Sequence, residues 1–208
     1  MEFSDDAYVL AARMLVASPP KRSILVVALT AEELGLLGSD YLAQYPVVPA
    51  DQVVANVNLD MPILTYDFTD VIAFGAEHST IGATVDRAAA EMGIKLSPDP
   101  MPEQNVFVRS DHYSFVKEGV PAVFLTTGFA NGGEQAWKAF EETRYHEPSD
   151  DMSQAINWEA GAKFAKLNYL VARELADGPQ APRWYAGDFF GDKFAAGQPK
   201  APAAKGAP

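Results

Sequence analysis

Residues 23–39 read SILVVALTAEELGLLGS, an apolar run that is followed almost at once by two adjacent carboxylates. The run 24–29 has no polar interruption, as expected for a strand that is covered on both faces of a sheet. Ionised carboxylates such as those of Glu32 and Glu33 need a proton, a cation or a metal in an apolar setting. We therefore expect one of them to bind a metal and the other to transfer a proton. In the alternative, both glutamates occupy the first turn of the next helix and face solvent.

The composition excludes several classes of function. The net charge of −12 disfavours nucleic acid and anionic membranes as partners, because both select basic patches. No stretch approaches the roughly 20 apolar residues that span a bilayer, and no secretory signal is visible after Met1. The chain has no cysteine, which excludes disulfides, thiolate catalysis and cysteine-ligated zinc. Any metal must therefore be held by His, Asp and Glu, while the cellular compartment stays open.

Strand and helix patterns alternate along the chain, which predicts an α/β layer fold with a largely parallel central sheet. Helices are predicted at residues 5–17, 36–44, 80–92, 113–117 and 157–175, and strands at 24–29, 53–59, 70–74 and 121–126. Residues 128–150 are predicted to form a long polar loop, and loops of that length are usually functional or mobile. We expect one domain over residues 1–194 and a flexible tail rich in Ala, Pro, Gly and Lys over residues 195–208.

Two further residues are candidates for the same site as the glutamates. Asp60 ends the predicted strand 53–59, and ligands in open α/β sheets gather at the carboxyl ends of strands. His146 lies in the polar loop, and histidine is the commonest metal ligand among side chains. Taken alone, Asp60 is equally typical of a turn and His146 of an exposed loop. Of the other two histidines, His112 is expected to pack near the site and His78 to form a turn.

The order of these motifs resembles that of the co-catalytic di-zinc aminopeptidase family, which includes bacterial leucyl aminopeptidases and the glutamate carboxypeptidases. The likeness extends over roughly residues 8–194. It rests on the following segments: PPKRS at 19–23, TAEE at 30–33, GLLGS at 35–39, NLDM at 58–61, RSDH at 109–112, GVPA at 119–122, YHEPSD at 145–150, PRW at 182–184 and GD at 187–188.

The resemblance implies a three-layer α/β/α sandwich with a mixed, mostly parallel sheet, of which this chain lacks the N-terminal part. It also implies a zinc-dependent exopeptidase of the aminopeptidase type. In such an enzyme Glu32 is the general base, Glu33 and His146 are ligands of one zinc ion, and Asp60 is a ligand of the other. Family members carry a histidine ligand and a bridging aspartate upstream of the Glu-Glu motif, and neither has a counterpart here. One zinc ion or none is therefore expected to be held tightly, and the activity of this chain to be impaired.

Two alternatives stay open beside the peptidase. The first is a non-catalytic binding module that keeps the peptidase fold, and the second is a glutaminyl cyclase-like enzyme with a single zinc ion. The missing ligands favour the first, whereas the retained Glu32, Glu33, Asp60 and His146 favour a peptidase. The expected partners are a peptide substrate and, through an apolar sheet edge left by the missing strands, a second copy of the chain. Relatives are often periplasmic or secreted, but the sequence itself identifies no compartment.

Overall fold

The computed structural model describes residues 2–203, with side chains from Val9 onward. Its helices are α1 (Glu2–Ala17), α2 (Leu37–Gln44), α3 (Ile81–Glu91), α4 (His112–Lys117), α5 (Gly133–Thr143), α6 (Trp158–Asp177) and α7 (Phe189–Phe194). Its strands are β1 (Asn56–Leu59), β2 (Asp70–Phe74), β3 (Lys95–Ser97) and β4 (Ala122–Thr127). Within the described part, none of the helices is both long and apolar enough to cross a membrane.

The four strands form one sheet in the order β1-β4-β2-β3. Strand β1 runs parallel to β4, with Leu59 opposite Leu125, and β2 runs parallel to β3. The central pair of β2 and β4 is antiparallel, with Val71 opposite Thr127. The predicted mixed, mostly parallel sheet is therefore confirmed, and the carboxyl ends of β1 and β4 lie at the same edge.

Helices cover both faces of the sheet, because side chains of β2 and β4 alternate between two apolar clusters. Val71, Val123 and Leu125 pack against α3 and α6, whose contribution includes Phe164. The residues between them in the strands, Ile72, Phe74, Ala122 and Phe124, face a second cluster with side chains from α4 and the C-terminal segment. Every residue of β4 is buried, as expected for a central strand covered on both sides. The three-layer α/β/α arrangement is confirmed.

The predicted strand at residues 24–29 is wrong. The segment lies outside the four-stranded sheet, and Leu25 and Val26 expose about half of their surface. Its start is held by Arg22, whose backbone N–H donates to Ala176 O and whose guanidinium donates to the carbonyls of Leu175 and Gly178 at the end of α6. An apolar run expresses a preference for burial, but a strand also needs a neighbouring strand for its hydrogen bonds.

Two other expectations change. The predicted loop 128–150 contains α5, a mostly polar helix that buries Trp137 and little else.

The first part of the predicted tail is packed on the domain, since Ala195 and Ala201 are buried and Lys200 Nζ donates to the carbonyls of Gly191 and Ala195. Alanine-rich composition does not exclude burial, because alanine fits where backbones approach closely. The remainder of the predicted tail, 204–208, lies outside the described residues.

The C-terminal segment is fastened to the sheet by a histidine and a tryptophan. His78 Nδ1 lies 2.7 Å from Asp188 Oδ2, and the ring of His78 packs between those of Phe107 and Phe190. Trp184 is buried and its indole N–H donates to Gly119 O at 2.9 Å. His78 therefore belongs to a structural contact away from the glutamate pair.

Candidate metal centre and substrate cavity

The Glu-Glu pair occupies a turn that precedes α2. Ala31 and Leu36 both adopt positive φ, at 59° and 62°. Between them the carbonyl of Glu32 accepts from the N–H groups of Gly35 at 3.0 Å and Leu36 at 2.8 Å. The alternative that both glutamates lie in the first turn of the helix is therefore wrong, because the helix begins only at Leu37.

Helix α2 is fixed against α4, and this contact positions the turn. A side chain at Gly38 would overlap the backbone at Thr30, so only glycine allows the start of α2 to lie so close to the segment that precedes the glutamates. The next residue, Ser39, is fully buried and shares a hydrogen bond with Ser114 Oγ at 3.0 Å. Ser114 donates to Asp40, which also accepts from Lys117 at 2.6 Å. The turn therefore has a firm anchor directly after it in sequence.

Asp60 directly follows β1, as the sequence predicts, and a serine orients its carboxylate. Ser110 Oγ donates to Asp60 Oδ2 at 2.7 Å and accepts from Asn58 Nδ2 at 2.9 Å. Asn58 and Asp60 stand two residues apart on the chain, so one hydroxyl bonds to both. The sequence analysis quoted RSDH as a motif but missed this role of Ser110.

His146 contacts the second glutamate of the pair. Its Nε2 lies 2.8 Å from Glu33 Oε1, and the two side chains expose 52% and 63% of their surface. The ring of Tyr145 stacks on the imidazole with the centroids 3.8 Å apart. The structure thus brings together two residues that are far apart in the chain and that the sequence analysis assigned to one metal ion.

Carboxylates surround Glu32. Burial raises its pKa to about 7, together with the negative charges of Asp60, Glu33 and Asp111, while His146 opposes the shift. A carboxyl with that pKa exchanges its proton near neutral pH, as a general base requires. All four predicted site residues therefore lie close enough to interact electrostatically.

Asp111 is a site residue that the sequence analysis did not assign. Burial raises its pKa and the charge of Asp60 adds to this, against a hydrogen bond with Ser39 that lowers it. Its Oδ1 is buried and has no hydrogen-bond partner among the described residues. The neighbouring His112 packs between the rings of Phe107 and Phe124 and donates a hydrogen bond to the carbonyl of Phe107.

Backbone strain marks the same place. Positive φ in residues other than glycine occurs at six described positions, of which two are asparagines, a residue type that tolerates it. The remaining four are Ala31, Leu36, Met61 and His146, which all lie in or beside the segments just described. Strain of this kind, of order 1–3 kcal/mol for each residue, clusters at functional sites. Histidine, like asparagine, adopts positive φ more often than most residue types, but no sequence pattern signals it at Ala31, Leu36 and Met61, whose residue types seldom adopt it.

A cavity of about 560 Å³ opens beside these residues. Its lining includes Glu33, Asp60 and His146. The other lining residues are Met61, Pro62, Ile63, Leu64, Thr65, Phe140, Tyr145, Glu147, Asp150, Asp151, Met152, Gln154 and Ile156. The lining is thus apolar with a group of carboxylates and contains neither lysine nor arginine.

The donors fit zinc in kind but fall short in number. Carboxylate and imidazole groups are zinc ligands, and two of them bound tetrahedrally to one ion at about 2.0–2.1 Å stand about 3.3 Å apart. The 2.8 Å between Glu33 and His146 is close to that spacing. Within residues 2–203, however, no group of three or more His, Asp or Glu side chains is arranged to hold a metal ion. A catalytic zinc takes three protein ligands, so the described residues fit part of such a site and not the whole.

Comparison with known proteins gives a consistent result. Residues 7–172 match the profile of peptidase family M28. A probable zinc metalloprotease of Pyrenophora teres f. teres is 26% identical in an alignment of 206 positions that covers 83% of this chain and 42% of that protein. Two solved structures share the fold with a TM-score of 0.60 each. They are an aminopeptidase from Aneurinibacillus sp. strain AM-1, 20% identical over 82% of this chain, and LapA of Legionella pneumophila, 22% identical over 84%.

This chain spans less than half the length of each of these proteins. It covers 37% of the Aneurinibacillus aminopeptidase and 47% of the Legionella protein. The shared fold is therefore shown for the part of those structures that this chain matches.

Proposed function

The chain belongs to peptidase family M28, and on that basis we propose that it carries the proton-transferring residue and metal ligands of a zinc-dependent exopeptidase of the aminopeptidase type. The observation that carries the proposal is the convergence of three separate segments of the chain: Glu33, Asp60 and His146 line one cavity, and Glu32 lies close enough to all three for their charges to act on its carboxyl. Glu33 and His146 are proposed as ligands of one zinc ion and Asp60 of the other. Zinc in such enzymes supplies Lewis acidity.

The chain's own contribution to the reaction is proton transfer. Glu32 accepts a proton from the attacking water as the new C–O bond forms at the scissile carbonyl. It then donates that proton to the amine nitrogen as the C–N bond breaks. A base of this kind contributes typically 10²- to 10⁴-fold to the rate. The burial of Glu32 favours its protonated form, so the carboxyl retains the proton between the two steps.

The cavity favours an amino-terminal substrate over a carboxy-terminal one. Its carboxylates, which include Glu147 and Asp151, attract the free ammonium group of a peptide. No lysine or arginine lines the cavity to pair with a terminal carboxylate, and the nearby charge of Arg109, which acts on Tyr145, is offset by those of Glu33, Glu32 and Asp60. The apolar wall, with Ile63, Phe140 and Met152, fits an apolar side chain.

The test is hydrolysis of an N-terminal amino-acid amide, such as leucinamide, by the protein expressed from its native locus and purified with any chains that accompany it. Glu32→Gln should reduce kcat by about 10²- to 10⁴-fold with an unchanged circular dichroism spectrum. Glu91→Gln is the matched control, because Glu91 is an exposed carboxylate at the end of α3 and outside the cavity lining. Activity that survives Glu32→Gln, or a preference for substrates with a blocked N-terminus, would contradict the proposal.

A further inference from the structure

The hydroxyl group of Ser39 contacts two segments that carry the acids of the site. One is the glutamate turn, residues 31–36, where Ser39 Oγ donates to the carbonyl of Leu36 at 3.0 Å. The other is the start of α4, where Ser39 Oγ lies 3.0 Å from Ser114 Oγ and also shares a hydrogen bond with the carboxyl group of Asp111. Ser39 is fully buried, so its own hydroxyl rather than bulk water fills this position. A single side chain thus joins the turn to the helix.

These contacts all depend on one proton. The hydrogen bonds from Lys117 and Ser114 lower the pKa of Asp40 and keep it ionised, so Ser114 donates its own proton to Asp40. In its contact with Ser39, Ser114 can therefore only accept, and the carbonyl of Leu36 can only accept as well. A serine hydroxyl has one proton to donate, which is here shared among its partners. Removing it weakens every link between the turn and α4 at once.

The segments that Ser39 joins hold the proposed base and a proposed metal ligand. On the turn side, Leu36 has φ 62° and its N–H donates to the carbonyl of Glu32 at 2.8 Å. Ser39 therefore holds a strained residue that is itself hydrogen-bonded to the base. On the helix side, the contacts of Ser39 begin one residue after Ser110, whose hydroxyl orients Asp60. The distance between the two acids thus depends on this hydroxyl.

On the basis of the proposed function, we propose that Ser39 is a positioning residue for the reaction, which keeps Glu32 and Asp60 at a fixed spacing by holding the glutamate turn against α4. A displacement of about 1 Å at a catalytic group can cost about 10²-fold in rate. Ser39 lies outside the cavity lining, so the effect falls on kcat and leaves substrate binding unchanged.

The first experiment measures leucinamide hydrolysis by the natural protein and by Ser39→Ala. We expect Ser39→Ala to lower kcat at least about tenfold, with KM within about twofold of that of the natural protein. The matched control is Ser79→Ala. Ser79 is also fully buried, and its Oγ accepts from the N–H of Ile81 at 3.3 Å, at the start of α3. The control should change kcat and KM by less than about twofold.

Ser114→Ala tests the same link from the α4 side and serves as the second variant if Ser39→Ala does not fold. It removes only one partner of Ser39, so it should lower kcat by less than Ser39→Ala does. Because the two hydroxyls act through a shared hydrogen bond, the double variant should lose no more activity than Ser39→Ala alone. Losses that multiply in the double variant would contradict this shared action.

Amide hydrogen exchange tests the turn without any use of activity. The N–H groups of residues 34–38 donate to the carbonyls of Thr30, Ala31 and Glu32. Their exchange should accelerate at least about tenfold in Ser39→Ala and stay unchanged in Ser79→Ala.

Three results would overturn the proposal: a kcat of Ser39→Ala within about twofold of the natural value, an equal loss of kcat in Ser79→Ala, or unchanged exchange at residues 34–38 in Ser39→Ala. A natural protein that does not hydrolyse leucinamide would contradict the proposed function instead. The exchange measurement would then still decide whether Ser39 holds the turn.

Discussion

His112 provides a direct test of how the core is built, through the dependence of stability on pH. The side chain is fully buried, and its Nε2 lies 2.7 Å from the carbonyl oxygen of Phe107, to which it donates. Nδ1 has no hydrogen-bond partner in the part of the chain that the structure describes. A proton on Nδ1 would therefore bring an uncompensated charge into an aromatic environment, and burial lowers the pKa of His112 from 6.5 to about 4.

The size of the effect follows from linkage between protonation and folding. The unfolded chain takes up the proton near pH 6.5 and the folded chain only near pH 4. The stabilising effect of neutral His112 is therefore complete above pH 6.5 and declines as the pH falls toward 4. The decline is about 1.4 kcal/mol per pH unit, or about 3 kcal/mol in total. That is a large share of the 5–15 kcal/mol typical of a whole domain.

The assay is urea unfolding of the natural chain and of His112→Gln at pH 7, 6 and 5. Glutamine retains a donor for the Phe107 carbonyl but does not titrate. Between pH 7 and pH 5 the stability advantage of the natural chain over the variant should shrink by about 2 kcal/mol. The comparison removes the opposite contribution of Glu32, whose raised pKa stabilises the fold as the pH falls. An advantage that stays constant to within about 0.5 kcal/mol would refute the argument, and His112→Leu repeats the test if His112→Gln does not fold.

Two further predictions concern stability elsewhere in the fold. Gly75→Ala should lower the free energy of unfolding by about 2–4 kcal/mol, because Gly75 has φ 88° and a Cβ there would overlap the Phe107 ring. Gly93 has φ 68° but open space around it, so Gly93→Ala should lower the free energy of unfolding by only about 1 kcal/mol. Asp188→Asn retains a helix cap but weakens the contact with His78, and should cost about 1–2 kcal/mol and accelerate amide exchange over residues 184–201. Equal costs for the two glycine variants in urea unfolding, or unchanged exchange in Asp188→Asn, would contradict these arguments.

Helices α1 to α4, helix α6 and the three longer strands of the fold were predictable because their signals are local. The amphipathic pattern of α6 and the apolar run of β4 each specify an element without reference to the rest of the chain. The segment 24–29 has an equally strong pattern, yet its outcome depends on which strands surround it. The three-residue strand β3 is too short to carry a periodic signal. The helix α5 does have an amphipathic pattern, but polar residues dominate its segment, and it was therefore predicted to be part of a loop.

The candidate site was predictable by residue type but not by arrangement. The sequence indicates three acids, Glu32, Glu33 and Asp60, and one metal-ligand candidate, His146. The family resemblance gives each of them a role. That Glu33 meets His146 directly, and that Asp111 adds a fourth carboxylate, depends on how α2, α4 and the loop after α5 pack. Tertiary contacts of this kind leave no trace in spacing along the chain.

The energetics of the site argue for chemistry over a purely structural role. Repulsion among the carboxylates and positive φ at Ala31, Leu36, Met61 and His146 both oppose folding, and both are concentrated at this edge of the sheet. The hydrogen bonds that hold α2 against α4, and the serine on Asp60, act against these costs without removing them. A scaffold that only binds a partner would be more stable with neutral side chains in these positions. Binding a cation and transferring a proton both require acidic side chains that are held together despite their repulsion. The arrangement of this site therefore favours the peptidase over the non-catalytic module.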